Sequence, residues 1–318
     1  MSSDAMLADP VTPDLRPGEE HVVCALCGAD DPRVVFERDV AQEARIVTCG
    51  DCGLMYADPR VGPVDHVDYE SSEAEGLLLG AESDPEHPWR WRNEKEKEQV
   101  RDFAATRAIL DGLYPKGGRL VEVGGGFGYL MASFKRDGWD VLGVDPWREL
   151  PAFTEKVHGI ETIPLTLEDA KLPDASADVV ILLHVIEHVP DPVGTLSEIN
   201  RILKPGGHVV IETPRYDTAM FRMLGARERS VRCEGHIYFF TFETLRKTYE
   251  KAGFTEVDTR AVGRTLSMER FLWNVGQISG SPGLRDGMTR AAGRVGLNRL
   301  RFALNLRDMQ RVVARKAG

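Results

Sequence analysis

Two sets of side chains in this sequence are spaced so that they could do chemistry. The first is Cys24, Cys27, Cys49 and Cys52, two C-x2-C turns with 21 residues between them. Four thiolates arranged in this way can converge tetrahedrally on one zinc ion. Each turn is followed by a glycine, Gly28 or Gly53, the residue whose backbone takes positive φ freely and can turn its N–H groups toward sulfur. A redox dithiol and an iron centre are the competing uses of the same spacing. Cys233 stands far from the four and reads as a small apolar residue.

The second set is in "HVIEH", which puts His184, Glu187 and His188 at i, i+3 and i+4, with His236 following much later in "CEGHIYFF". On a helix the first three would share a face. Histidine is the side chain best matched to taking a proton near neutral pH. His236, His184, Glu187 and His188 are therefore the candidate catalytic groups. Two imidazoles and a carboxylate also suit a transition-metal ion, so a second divalent metal is another use of the same atoms. Against both stands a structural reading, in which His188 is buried and bonds a neighbouring loop while Glu187 orients a histidine.

The elements that must position these groups are legible in the periodicity. From residue 93 to residue 263, helix-period and strand-period segments alternate. Apolar strands are predicted at 118–124, 139–145, 160–166, 177–184, 206–214 and 254–262, with helices at 129–138, 149–159, 192–203 and 242–253. That order predicts a parallel sheet covered on both faces. Its ligands should bind at the carboxyl ends of the strands, where the strand order reverses.

Ligand signals stand at those ends. "VEVGGGFGYL" (121–130) carries Gly124, Gly126 and Gly128 after a strand, but Tyr129 stands where a dinucleotide fingerprint wants its last glycine. The turn approaches a ligand closely and would crowd a pyrophosphate. Asp145 in "GVDP" can grip two ribose hydroxyls. Glu168 and Asp169 in "LTLEDAKLP" are placed to accept from an adenine amino group. A nucleoside attached to something without phosphates is indicated, and S-adenosylmethionine fits.

In this order "VEVGGGFG", "GVDP", "ADVVILLHVIEHVPDP" and "ILKPGGHVVIETP" resemble class I S-adenosylmethionine-dependent methyltransferases, over residues 95–263. The resemblance implies an α/β fold with a Rossmann-like seven-stranded sheet, fronted here by a small N-terminal zinc-ribbon module. It carries Glu122, Gly124, Gly126 and Gly128 to the methionine part of the cofactor and Asp145 to the ribose. Glu168 or Asp169 would lie at adenine, with His184 and Val185 lining the cleft beside the cofactor.

The cysteine text, CxxCG…CxxCGLxYxxPR, resembles the zinc-binding domain in front of one methyltransferase subgroup. That subgroup includes C-methyltransferases of nucleotide-linked deoxysugars and natural-product enzymes, and "GHIYFFTFETLRKTYEKAGF" (235–254) resembles its late motif. Gly235 stands where the sugar enzymes carry Glu, which pulls toward O- over C-methylation. HxxEH with a distant His also resembles the ExxEH…H divalent-metal site of some 2′-O-methyltransferases and quinone-pathway O-methyltransferases, with His184 in the first position.

A chain of 318 residues, 42% hydrophobic and 28% charged, is long enough for one large core plus a smaller module. The expected division is an acidic tail at 1–20, the zinc ribbon at 21–62 and a connector or lid at 63–92. The cofactor-binding core follows at 93–263, with a fold that does not depend on the ribbon. Helices and a final antiparallel strand at 309–316 occupy 264–318, with Phe271, Leu272 and Trp273 as core, acceptor-pocket or dimer residues. No apolar run approaches the roughly 20 residues of a membrane span, and the N-terminus lacks a signal layout. A cytoplasmic location and no membrane partner are expected.

The net charge of −10 argues against nucleic acid. Residues 283–318 carry a net +7, either a solvated arginine face or a surface for an anionic partner. The expected function is methyl transfer to a small-molecule acceptor, anionic or sugar-linked, by O- or C-methylation with a histidine base, in a monomer or homodimer. An amine acceptor would need no base. A non-catalytic cofactor- or partner-binding protein that docks through the zinc ribbon is the alternative from another class.

Overall fold

The computed structural model describes residues 15–38, 45–61, 90–147, 149–228, 231, 235–268, 271–272, 287, 296 and 300–318. The tail at 1–14, most of the connector, Cys233 and Trp273 lie outside the described residues.

The N-terminal part contains β1 (Glu19–Glu20), β2 (Pro32–Phe36), β3 (Ile46–Cys49), β4 (Met55–Ala57) and β5 (Arg60–Val61). Strands β2, β3 and β4 form an antiparallel meander, and β1 pairs with β5. Two helices follow, α1 (Arg90–Asp102) and α2 (Ala104–Leu113). The alternating part then runs β6 (Arg119–Val123), α3 (Tyr129–Arg136), β7 (Asp140–Val144), α4 (Glu149–His158), β8 (Thr162–Ile163) and α5 (Leu167–Ala170). It continues with β9 (Ala177–Leu183), α6 (Pro192–Ile202), β10 (Leu203–Pro214), α7 (Ala219–Leu224), β11 (Tyr238–Phe239) and α8 (Phe242–Lys251). The long strands β12 (Phe254–Ser267) and β13 (Arg301–Lys316) come last.

Seven of these strands make one sheet in the order β12-β13-β10-β9-β6-β7-β8. Strands β6 to β10 within it run parallel, and β13 lies antiparallel between β10 and β12. Its central strand β9, "ADVVILL", is aliphatic because both faces are covered, and six of its seven residues are buried. The strand order reverses between β6 and β9, so the ligand crevice opens there. Asp191 starts α6 by accepting from Gly194 N at 2.9 Å, with Pro192 in the first turn. Thr241 and Thr244 form a reciprocal capping box at α8.

Two expectations are corrected. The strand predicted at 160–166 shrinks to two residues, because Leu165 is exposed and Thr166 turns to cap α5. The final strand begins at Arg301, not at 309. Its first residues pair with Arg264–Ser267 and extend the ladder past the sheet edge, where the sequence pattern predicts helix. The two modules also share structure. Strand β11 pairs with β4, so the meander gains its fourth strand from a segment almost two hundred residues later. Cys24, Val47, Leu54 and Tyr56 share one core cluster with Val121, Val180, Leu182 and Phe240. Burial is continuous across the two parts.

The basic C-terminal stretch is also less of a patch than its charge implies. Arg311 is only 2% exposed, donating to Glu212 Oε2 at 2.6 Å and to Asp102 O at 2.9 Å. Lys316 donates to Asn200 O and Leu203 O at the end of α6. Those two charges are spent on packing.

Candidate active site and its relatives

The turn after β6 is built from left-handed glycines: Gly124 at φ +66°, Gly126 at +56° and Gly128 at +75°. A Cβ on Gly124 would strike Val185, and one on Gly128 would lie 2.7 Å from Thr154. The loop after β9 therefore rides directly on the glycine turn. Asp145, just after β7, is buried and accepts from Gly126 N of the turn at 3.0 Å and from Trp147 N of its own loop at 3.0 Å. Beneath the turn lies Glu122. Burial first, then the carboxylates of Glu96 and Asp145, hold its carboxyl well above the usual range. Glu96 reaches over from α1 and accepts from Phe127 N at 2.7 Å. Sequence reading missed it, because it is one acid in the repetitive "NEKEKEQV".

Glu168 and Asp169 are both exposed at α5. Glu168 accepts from Thr195 Oγ1 at 2.6 Å, while Asp169 completes the Thr166 cap.

"HVIEH" is a turn, not the start of a helix. His184 takes φ +59°, which ends β9 in a left-handed bend, and Pro190 and Asp191 postpone helix α6 to Pro192. The shared face predicted for His184, Glu187 and His188 does not form. The turn nevertheless collects them. Glu187 is fully buried, with Oε1 at 3.5 Å from His184 Nδ1 and 4.0 Å from His236 Nε2. Burial pushes its carboxyl up, but the attraction of His184, His188 and His236 outweighs that and holds it below the usual carboxylate range. His184 also lies 3.3 Å from Glu212. Burial would raise Glu212 as well, yet Arg311 and then His184 bring it down to about 2.

His188 points the other way, donating from Nδ1 to Gly235 O at 2.8 Å and meeting the His236 ring edge-on at 4.7 Å. Gly235 sits at φ +81°, a conformation that Glu would adopt only under strain. Tyr216 Oη lies 3.4 Å from His236 Nδ1. Donor atoms of Glu187, His188 and His236 fall within 4.8 Å of one another, and His184 is not among them. Glu212, Arg311 and Tyr216 carried no motif signal; the β10–β13 register brings the first two together, and Tyr216 follows in the loop after β10.

The four cysteines converge as their spacing predicts, and all are free thiols. Cys24 Sγ lies 3.4 Å from Cys52 Sγ, and Cys27 Sγ lies 3.5 Å from Cys49 Sγ. Gly28 N donates to Cys24 O and Gly53 N to Cys49 O, two equal knuckles with both glycines at φ +79°. These separations fit zinc, whose sulfur ligands sit about 2.3 Å from the metal. Burial pushes the Cys24 thiol up to about 11, and a cation among the four sulfurs would favour its thiolate. Among the described residues, no helix is long and apolar enough to cross a membrane.

Several known proteins resemble this chain. The ubiquinone biosynthesis O-methyltransferase of Vibrio vulnificus is 33% identical over 136 residues, 40% of this chain and 56% of that protein. The protein of the same name from Vibrio parahaemolyticus is 34% identical over 127 residues, 37% of this chain and 53% of that one. The chain thus spans about half the length of the relatives it matches. A solved Thermotoga maritima structure, described as an S-adenosylmethionine-dependent methyltransferase and possible histamine N-methyltransferase, shares the fold. It aligns with TM-score 0.50 and 21% identity over 76% of this chain and 97% of its own. The family model described as a methyltransferase domain matches residues 89–259, more than half of the chain. A match of that extent settles the family: the chain belongs to the class I S-adenosylmethionine-dependent methyltransferases.

Proposed function

We propose that this methyltransferase acts on a hydroxyl group of a small-molecule acceptor and that Glu187, His184, His188 and His236 form its proton-accepting centre. One observation carries the reading. A fully buried carboxylate lies among three imidazoles at the carboxyl end of β9, against the glycine turn. Bound S-adenosylmethionine supplies an electrophilic methyl carbon. The glycine turn and Asp145 would hold the cofactor, and the histidine cluster would receive the hydroxyl proton. Because His188 uses Nδ1–H on Gly235 O, its Nε2 keeps a lone pair. An imidazolium formed on His188 or His236 is stabilised by Glu187.

The names of the relatives favour O-methylation and lend no support to the sugar acceptor expected from the sequence. Aromatic rings pack together beside His236. Tyr216 contacts Phe239 at 5.0 Å and Phe221 at 5.5 Å, and Phe221 meets Phe36 of β2 at 5.9 Å. We read the four cysteines as a structural zinc site that fixes the meander against this wall.

The test is turnover on a panel of phenols, catechols and sugars. His236→Ala and His188→Ala should each slow the preferred acceptor by ~10²-fold with cofactor affinity unchanged. Full activity in both variants and in His184→Ala would leave no base and favour an amine acceptor. A second reading rests on the convergence of Glu187, His188 and His236 donor atoms. A divalent cation held there would lower the hydroxyl pKa, and activity would then require added metal after chelation.

A further inference from the structure

Strand β13 outruns β10 at the end where the crevice opens. Its pairing with β10 stops at Met309, opposite Pro214, and Arg301–Asp308 continue past the carboxyl ends of the parallel strands. There the ladder with β12 breaks. Val262 pairs with Met309 and Arg264 with Leu304, so Asn305–Asp308 stand against Gly263 alone. These four residues form a bulge folded tightly on that glycine, where a Cβ would lie 2.9 Å from Leu304 O and from Asn305 Cβ. Bulges beside active sites re-aim side chains. The residue re-aimed here is Arg307, at φ +58° in the left-handed region, with its N donating to Asn305 Oδ1 at 2.9 Å. Non-glycine residues held in that region cluster at ligand sites, and His184 is another of them in this chain.

Three arginines belong to the bulge or touch it. Arg215 N donates to Asp308 O at 2.8 Å, while its guanidinium pairs with Asp217 and lies 4.2 Å over the Phe242 ring. Arg264 pairs with Asp308. Arg307 is exposed, and among the described residues its guanidinium meets no acid. Two carboxylates thus stand among three cations, and the surplus charge is on Arg307. The catalytic cluster lies within a small molecule's length. Glu212, 3.3 Å from His184, is opposite Arg311, and the four residues of strand from Arg311 to Arg307 span at most about 13 Å. We infer, on the hydroxyl-acceptor reading above, that Arg307 takes an oxyanion of the acceptor, carboxylate or phosphate, while the acceptor's hydroxyl lies at the histidines. A guanidinium presents the planar fork of donors that either group matches. The competing role is a solvated arginine whose bend serves only to break the ladder.

Three phenols separate these roles: 4-hydroxybenzoate, 4-hydroxyphenyl phosphate and methyl 4-hydroxybenzoate, the last without charge. Calorimetry is run on protein saturated with S-adenosylhomocysteine. Wild type should bind at least one of the two anions about 10-fold more tightly than the ester, and the tighter anion tells carboxylate from phosphate. Arg307→Gln should remove that preference and leave affinity for the ester and for S-adenosylhomocysteine unchanged. A wild type with no preference for either anion, or a preference that survives in Arg307→Gln, would overturn the site and leave the solvated role. Turnover with S-adenosylmethionine reports separately on the hydroxyl reading. An anion preference lost in Arg307→Gln, with no hydroxyl methylated on any phenol or sugar, would overturn hydroxyl transfer and leave the oxyanion site standing.

Discussion

Lys247 Nζ donates to the carbonyl of Cys52 at 3.3 Å, joining the helix that follows His236 to the second cysteine knuckle. Lys251 makes the matching bond to Leu26 O in the first knuckle, at 2.5 Å. Ile237 N and Tyr238 N both donate to Glu187 O, at 2.9 and 3.1 Å. The cysteine knuckles, His236 and Glu187 are thus linked by one short run of backbone.

Removing metal from the cysteine site should therefore reach the reaction. Chelation, or Cys49→Ser, is expected to lower turnover by roughly 10–100-fold, the usual scale for lost support around a site. S-adenosylhomocysteine affinity should hold, because the glycine turn lies elsewhere. Elemental analysis, turnover and calorimetry on the same sample check this. Unchanged turnover in metal-free protein would disconnect the two.

Arg311 and Glu212 predict a stability effect. Arg311→Met leaves a buried carboxylate without its cation and should cost about 3–5 kcal/mol, read by denaturant unfolding. Adding Glu212→Gln should recover part of the loss. Glu212 is depressed to about 2 from 4.5 in the folded chain. Its contribution is accordingly full above pH 4.5 and is lost as pH falls toward 2.

Gly235→Ala places a Cβ 3.1 Å from His188 Nδ1 and forces a left-handed conformation on alanine. The expected cost is ~1–2 kcal/mol in stability. Turnover should fall as His188 shifts, and the pH–rate profile should move with it. Retained turnover with an unshifted profile would show that His188 is not a base.

Cofactor affinity should depend on pH. Glu122 is held neutral well above the usual carboxylate range, and binding of a cation favours its ionised form. Affinity for S-adenosylhomocysteine should then rise with pH through the Glu122 titration and be flat in Glu122→Gln. Calorimetric titrations across pH decide it.

The sequence makes local chemistry legible, and long-range pairing much less so. Glycines at 124, 126 and 128, the acid at 145 and the cysteine spacing each write a turn geometry into a few adjacent residues. By contrast, Glu212 and Arg311 meet across ninety-nine positions because β10 and β13 pair antiparallel. Nothing beside either residue announces the other. "HVIEH" misleads because i, i+3, i+4 spacing is helical only if the backbone is, and His184 takes a left-handed bend. The alternating exposure of Arg301–Leu304 belongs to a strand, while the surrounding composition reads as helix.

The pairing of β4 with β11 also bears on how the protein is made. On the ribosome, the cysteine knuckles emerge long before Tyr238 and Phe239, so the nascent meander waits with one edge open. Its last strand arrives only after β10 has been synthesised. A zinc ion captured early would hold the knuckles through that interval. Truncation before residue 238 would leave a fragment that carries the four cysteines and whose exposed edge favours association with other chains.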